Sequence, residues 1–205
     1  MSRGSTQAQN HPRSGSTIKV EPIRDLTAIQ HIKERLRRHN LRNYCLFTLG
    51  INTAYRASEL LSLTVGQVKH LQIGDLLDIK QKKTKEYRAA TLNHSAVESI
   101  QTWLAAHPLR SKQSAPLFLS QRRYAPLCVS SLSRLVKSWC QDEGLTGNYA
   151  SHSLRKTWGY HQRVDHNAPI PLLMRAYGHK SQTQTMTYLH IQEQELQALY
   201  IGMEL

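Results

Sequence analysis

The stretch SHSLRKTWGYH, Ser151 to His161, sets a histidine three residues ahead of an arginine. Positions i and i+3 share a helical face, so on a helix His152 and Arg155 point the same way while Leu154 and Trp158 turn inward. A group that carries a proton near neutral pH then stands beside a guanidinium that never loses its charge and grips two phosphate oxygens at once. The pair suits chemistry at a phosphodiester. Taken alone, it also describes a solvated basic helix that only touches DNA backbone.

Two further stretches narrow the reading. Upstream, TAYRASELLSL (Thr53 to Leu63) sets Arg56 and Glu59 on one side of a helix and Leu60 and Leu63 on another. Downstream, YGHKSQTQTMTYLH (Tyr177 to His190) puts a Gly-His pair ahead of a Thr-rich run that ends in Tyr188. In this order the three stretches resemble the phage-integrase family, the tyrosine recombinases, over most of the chain from Leu26 onward. The resemblance implies that Arg56 is the first catalytic arginine, His152 and Arg155 the HxxR pair, His179 the fifth member and Tyr188 the nucleophile. It also implies a general-acid lysine on a turn between two strands. QKKTK aligns best with Lys83 in that role; Lys82 and Lys85 compete, and a solvated Lys-rich turn that only contacts phosphates stands beside all three.

The implied chemistry is site-specific strand cleavage and religation through a 3'-phosphotyrosyl intermediate. A phosphodiester repels nucleophiles, and charge builds on its two non-bridging oxygens as the fifth bond forms, so fixed cations such as Arg56 and Arg155 are needed there. The tyrosine, a phenol with an ordinary pKa of about 10, needs help losing its proton, from the two arginines and from His152 as base. A hairpin lysine protonates the departing 5' oxygen, and His179 donates a hydrogen bond to the phosphate. No metal or nucleotide cofactor is required, because the phosphotyrosyl link keeps the ester's free energy for religation.

Each residue has a plainer reading. Arg56 could simply pair with Glu59 at i+3, His179 could open a helix, and Tyr188 competes with Tyr55, Tyr87, Tyr149, Tyr160, Tyr177 and Tyr200. What distinguishes Tyr188 is its place after QTQTMT, whose β-branched residues favour a short or mobile segment over a helix. An aromatic that merely caps a polar loop would bury its hydroxyl instead.

Composition agrees with a polyanionic partner. Lys and Arg number 27 against 14 acids, giving a formal charge of +13 and a pI near 9.9, and counterion release then favours nucleic acid. No apolar run is long enough to span a bilayer, and no long basic amphipathic helix with a bulky aromatic face suggests a membrane surface. Cys45, Cys128 and Cys140 are isolated, so neither a disulfide framework nor a zinc site is implied, and a reducing, cytoplasmic compartment follows. The histidines show no metal-ligand spacing.

The positioning elements read as a mainly α chain with a small antiparallel sheet, an α+β fold. Residues 1 to 20 are too polar to bury enough surface and form a disordered basic tail, leaving 21–205 as one catalytic domain that includes the C-terminal helix. DLTAIQHIKERLRRHN gives a helix with a basic face; LRNYCLFTLGINTAY gives a largely buried helix leading into the Arg56 helix. LQIGDLLDIKQ and YRAATLN are two strands about the KKTKE turn. HSAVESIQTWLAAH is a helix with Val97, Ile100 and Leu104 on its core stripe, stopped by Pro108. VSSLSRLVKSWCQDEG is another, turning Val129, Leu132, Leu135, Val136 and Trp139 inward and ended by Gly144.

Departures from the family pattern are Lys156 and Thr157 after Arg155, Tyr177 in place of Leu before Gly-His, and Gln67 where Asp is common; they bear on local packing. Too few residues precede the catalytic part for an N-terminal clamping domain, so the chain reads as a minimal recombinase similar to the fimbrial-switch kind, or a catalytic fragment. The expected partner is double-stranded DNA with specific recombination sites. Dimers or tetramers would hold it, through Leu196, Leu199 and Tyr200 on the C-terminal helix, with that helix docking either on a neighbour or on its own domain. Accessory DNA-bending or directionality proteins would assist, in a bacterial or phage setting near the nucleoid. A type IB topoisomerase, a catalytically idle DNA-binding regulator and a nuclease are the rival readings.

Overall fold

Helix α1 (Leu26–His39) begins where the Asp25 carboxylate accepts the Thr27 N–H at 2.7 Å, and it buries Ile29, Ile32 and Leu36 on one stripe. Asn40 then caps α2 (Leu41–Gly50), accepting from the Asn43 N–H, and α2 is buried along almost its whole length. A helix buried on every side, here with Arg42 and Asn43 paired to each other and to the Leu119 carbonyl, sits at the centre of a domain, and the others are arranged about it. Helix α5 (His94–Ala106) lies along α2, and α6 (Val129–Asp142) reaches it through Trp139, whose ring meets Phe47 edge-on at 5.7 Å. The computed structural model describes residues 20–80, 87–120, 124–189, 197 and 200–202.

Two short helices, α3 (Ala57–Leu60) and α4 (Val65–Val68), turn the chain from α2 into β1 (Leu76–Lys80). β1 pairs antiparallel with β2 (Tyr87–Thr91), with Leu77 opposite Ala90 and Ile79 opposite Arg88. The two strands, one sheet, are where alternation placed them. The Lys82, Lys83 and Lys85 positions lie outside the described residues, as does the tail apart from Val20.

The catalytic-motif helix α7 (Ser151–Val164) packs on α2 and α6, and α8 (Ile170–Tyr177) and α9 (Gln182–Leu189) fold back on it. A second, smaller cluster of Ala54, Leu173, Tyr177 and Leu189 forms there, with Trp158 and Tyr188 against its edge. Gly178, at φ 62°, ends α8 in the left-handed conformation that glycine adopts without cost. Gly159 matters for a different reason. A Cβ on it would overlap the Tyr177 hydroxyl and lie 2.9 Å from Leu189 Cδ2, so only a glycine lets α8 and α9 close onto α7.

Three expectations change. The Thr-rich run is a helix, α9, because buried Thr185 and Leu189 give it a packed face that outweighs β-branched propensity. Arg56 precedes α3 as its N-cap residue instead of lying within a helix. Val129 is exposed at the first turn of α6 rather than inward.

Gly159→Ala overfills the α7–α8–α9 junction and should lower unfolding stability by about 1–3 kcal/mol, measured by urea denaturation, with amide exchange in α8 and α9 accelerated before that in α2.

Candidate active site

Arg155 is the most enclosed of the motif residues, 2% exposed. An arginine this deep needs its donors filled. It donates to the Ala54 carbonyl from Nη1 and to the Tyr177 carbonyl from Nη2, the latter at 2.7 Å. Its guanidinium lies 4.6 Å from the Tyr177 ring centroid and 5.6 Å from that of Tyr188. Ala54 adopts a left-handed backbone, φ 54°, unusual for a residue with a side chain. His152, one turn ahead of Arg155, keeps an exposed edge. Partial burial first, then the charges of Arg155, Lys156 and Arg56, hold its pKa below the ordinary imidazole value, so it is a neutral base at pH 7.

Arg56 is fixed by Glu59. One Glu59 oxygen accepts the Arg56 backbone N–H and the other accepts Arg56 Nη1, both at 2.7 Å. The i, i+3 pairing read from the sequence is therefore present, and it orients a guanidinium that remains partly exposed. Glu59, buried, also faces Arg88 Nη1 at 3.5 Å.

An aromatic layer completes the region. Tyr177, fully buried, donates its hydroxyl to the Arg155 carbonyl at 3.2 Å. The His179 ring stacks on it at 4.9 Å and 15°, and Tyr188 meets Tyr177 edge-on at 5.0 Å and His179 at 5.3 Å. His179 Nδ1 pairs with Thr185 Oγ1 at 3.0 Å, so α9 fixes the imidazole that follows α8. Desolvation, then Arg155, Arg56 and Arg88, push the His179 pKa down to about 4. The Tyr188 hydroxyl is buried without a well-formed hydrogen bond. Burial raises its pKa, and Arg155 first, then Arg56 and Arg88, pull against that rise. Lys156, the residue after Arg155 on α7, holds its ammonium 5.3 Å from the Tyr188 ring centroid.

The structure thus gathers Arg56, His152, Arg155, His179 and Tyr188 into one electrostatic neighbourhood. Lys83 lies outside the described residues. The sequence profile described as the phage integrase family matches residues 22–195. The chain belongs to that family. Among its relatives, a probable integrase/recombinase YoeC of Bacillus subtilis is 36% identical over 183 residues, covering 88% of this chain and 95% of that one. A tyrosine recombinase XerC of Caldanaerobacter subterraneus subsp. tengcongensis is 29% identical over 157 residues, 76% of this chain and 43% of its own. The chain thus spans nearly all of one relative and under half of the other. The fold is that of the XerA recombinase crystal structure, TM-score 0.74 at 18% identity over 92% of this chain and 66% of that one. The XerH recombinase bound to a palindromic difH substrate, in a post-cleavage complex, also gives TM-score 0.74, at 22% identity over 88% of this chain and 51% of that one.

For a tyrosine recombinase, three residues at this site went unremarked or undervalued in the sequence. Tyr177 registered only as a departure, and it is the floor beneath His179 and Tyr188. Thr185 registered as a poor helix former, and it anchors His179. Arg88 carried no local signal at all, being one basic residue on a short strand.

His179 changes from a pKa of 6.5 in the unfolded chain to about 4 in the fold, so the native state binds fewer protons. Its contribution is complete above pH 6.5 and is lost as pH falls toward 4. The melting temperature of wild type should therefore fall more steeply across that window than that of His179→Gln, in paired thermal melts.

Proposed function

We propose that this site-specific DNA recombinase cleaves and rejoins strands with Tyr188 as nucleophile, Arg56 and Arg155 as the phosphate cradle, His152 as base and His179 as a hydrogen-bond donor. The observation that carries the reading is the Arg155 guanidinium 5.6 Å from the Tyr188 ring centroid, with Arg56 also acting to lower the pKa of that phenol. Fixed guanidiniums aimed at one point stabilise charge that develops there without reorganising during the reaction. Lys83 remains the proposed general acid for the 5' oxygen, with Lys82 and Lys85 as competitors.

Each step has a local physical basis. Neutral His152 can take the phenol's proton as the Tyr188 oxygen bonds to phosphorus and the 5' oxygen leaves with a proton from the lysine. In the tautomer whose Nδ1 accepts from Thr185 Oγ1, His179 carries its own proton on Nε2 and offers it to a non-bridging oxygen. Because the Tyr188 ring now lies over Arg155, the phenol has to withdraw before phosphate reaches that guanidinium. The second N–H of each Arg155 terminal nitrogen is then the donor that meets it, while the bonds to Ala54 and Tyr177 hold the group still.

The partner is double-stranded DNA carrying a recombination site, bound by a chain of charge +13. Residues 21–205 act as the catalytic domain, in dimers or tetramers on DNA, with accessory DNA-bending or directionality proteins. Tyr200 and Ile201, 79% and 80% exposed, are apolar surface available to a neighbouring subunit.

The test traps the covalent step. The chain is incubated with sheared genomic DNA of the organism that encodes it, denatured in SDS, and protein-linked fragments are sequenced; a nicked duplex of the recovered site then serves as substrate. Wild type should give an SDS-stable adduct and Tyr188→Phe none. Arg155→Lys, which keeps charge but loses the two-armed geometry, should cut the adduct rate by about 10²–10³-fold with DNA affinity retained. Adduct formation by Tyr188→Phe would overturn the assignment, and relaxation of any supercoiled plasmid without a recovered site would favour a topoisomerase.

A further inference from the structure

Arg88 enters the site from β2 and is 7% exposed, so it does not reach DNA. A buried cation is costly unless its donors and its charge are matched; besides the Tyr55 ring, 5.9 Å from its guanidinium, the partners of Arg88 support assigned residues. Its Nη2 donates to the Ala54 carbonyl at 3.0 Å, the same oxygen that Arg155 binds. Nη2 also donates to the Ala176 carbonyl, three residues ahead of His179. Nη1 faces Glu59 Oε2 at 3.5 Å, the oxygen that accepts the Arg56 backbone N–H.

We propose that Arg88 is a positioning residue for the cleavage site: its guanidinium ties Glu59 under Arg56, Ala54 beside Arg155 and Ala176 ahead of His179, keeping the three phosphate-facing groups in register. This rests on the recombinase reading above. One planar donor with several N–H groups can hold three separated acceptors in a fixed fork; an apolar side chain would fill the volume, take this donor from the Ala176 carbonyl and leave the Ala54 carbonyl to Arg155 alone. Burial first, then the neighbouring Arg155, lowers the Arg88 pKa to about 10, which still leaves it charged at pH 7. Its charge also reaches the reacting groups, since Arg88 is among the cations that lower the pKa of both His179 and Tyr188.

A hairpin pin with no role in the site would give the same contacts, and the experiment separates the two. The 205-residue wild-type chain, Arg88→Met and Arg88→Lys are compared by single-turnover adduct formation on the nicked duplex, by DNA affinity, by thermal melting and by histidine NMR titration, with His179 assigned from His179→Gln. Arg88→Met should form adduct about 10²-fold more slowly, the scale of a displacement of about 1 Å in a site, with DNA affinity unchanged and the His179 midpoint raised. Arg88→Lys, charged but lacking the fork, should hold the His179 midpoint nearer wild type and recover only part of the rate. Where Arg88→Met does not fold, Arg88→Lys carries the same comparison against wild type. Adduct rates equal to wild type in the folded variants would overturn the proposal. So would a rate loss that only tracks melting temperature, with the His179 midpoint unmoved in Arg88→Met. If wild type forms no adduct, the recombinase reading fails instead, and the His179 titration still decides whether Arg88 sets this loop.

Discussion

Two buried guanidiniums donate to one backbone oxygen. Arg155 from α7 and Arg88 from β2 both bind the carbonyl of Ala54, and the rest of the site follows from making that arrangement tolerable. Two like charges in a poorly solvated interior repel, and each loses hydration worth several kcal/mol, about as much as a good ion pair returns. The carboxylate beside them is Glu59, shared with Arg56. The remaining compensation comes from backbone carbonyls at 54, 176 and 177 and from the face of the Tyr177 ring. Four elements distant in sequence are thereby bound to one another through side-chain donors. The left-handed turn at Ala54 fits this reading, because it aims a carbonyl where two cations can share it.

The same constraint explains why the neighbouring titratable groups are neutral. A cluster of Arg56, Arg88 and Arg155 disfavours any further positive charge, so His152 and His179 both have lowered pKa values, with burial contributing first in each. Neutral imidazoles can serve as base or as oriented donor at pH 7, and a protonated one could not be a base. The cations proposed to cradle a phosphate are thus among those that keep the histidines neutral.

Much of this was legible before any coordinates, and the reason is local. HxxR, the Arg56–Glu59 pair and Gly-His lie on short contiguous stretches, where spacing alone dictates which side chains share a face. Helices α1, α2, α5, α6 and α7 and the β1–β2 pairing were legible by the same periodicities, whereas α8 was not read. What could not be read depends on contacts between distant segments. Nothing in YRAAT says that Arg88 turns inward toward carbonyls contributed by residues 54 and 176. Tyr177 was visible only as an odd residue, because its role as a floor exists only once α7, His179 and Tyr188 surround it. The helix at α9 overrode its threonines because Leu189 and Thr185 found a packed surface against Gly159, a tertiary fact that a propensity cannot contain. His152 and Arg155 also diverge more than a shared face suggests. At 100° per residue, positions three apart differ by about 60°, enough for one to keep an exposed edge while the other is enclosed.

The Tyr188 hydroxyl shows how the proposed nucleophile is seated. The expectation that a merely structural tyrosine would bury its hydroxyl meets a buried hydroxyl here, but one that lies among arginines and has no well-formed hydrogen bond. A structural phenol in a core finds a partner, as Tyr177 does on the Arg155 carbonyl. Leaving a buried hydroxyl unpaired costs about 1–3 kcal/mol. Against it stand two edge-on aromatic contacts of about 0.5–1.5 kcal/mol each. These opposing contributions are of similar size, which leaves the cation contacts with Arg155 and Lys156 as the interaction an arriving phosphate competes for. A phenol firmly hydrogen-bonded to backbone would resist that displacement; one held by ring faces and a shared cation gives way when that cation is claimed.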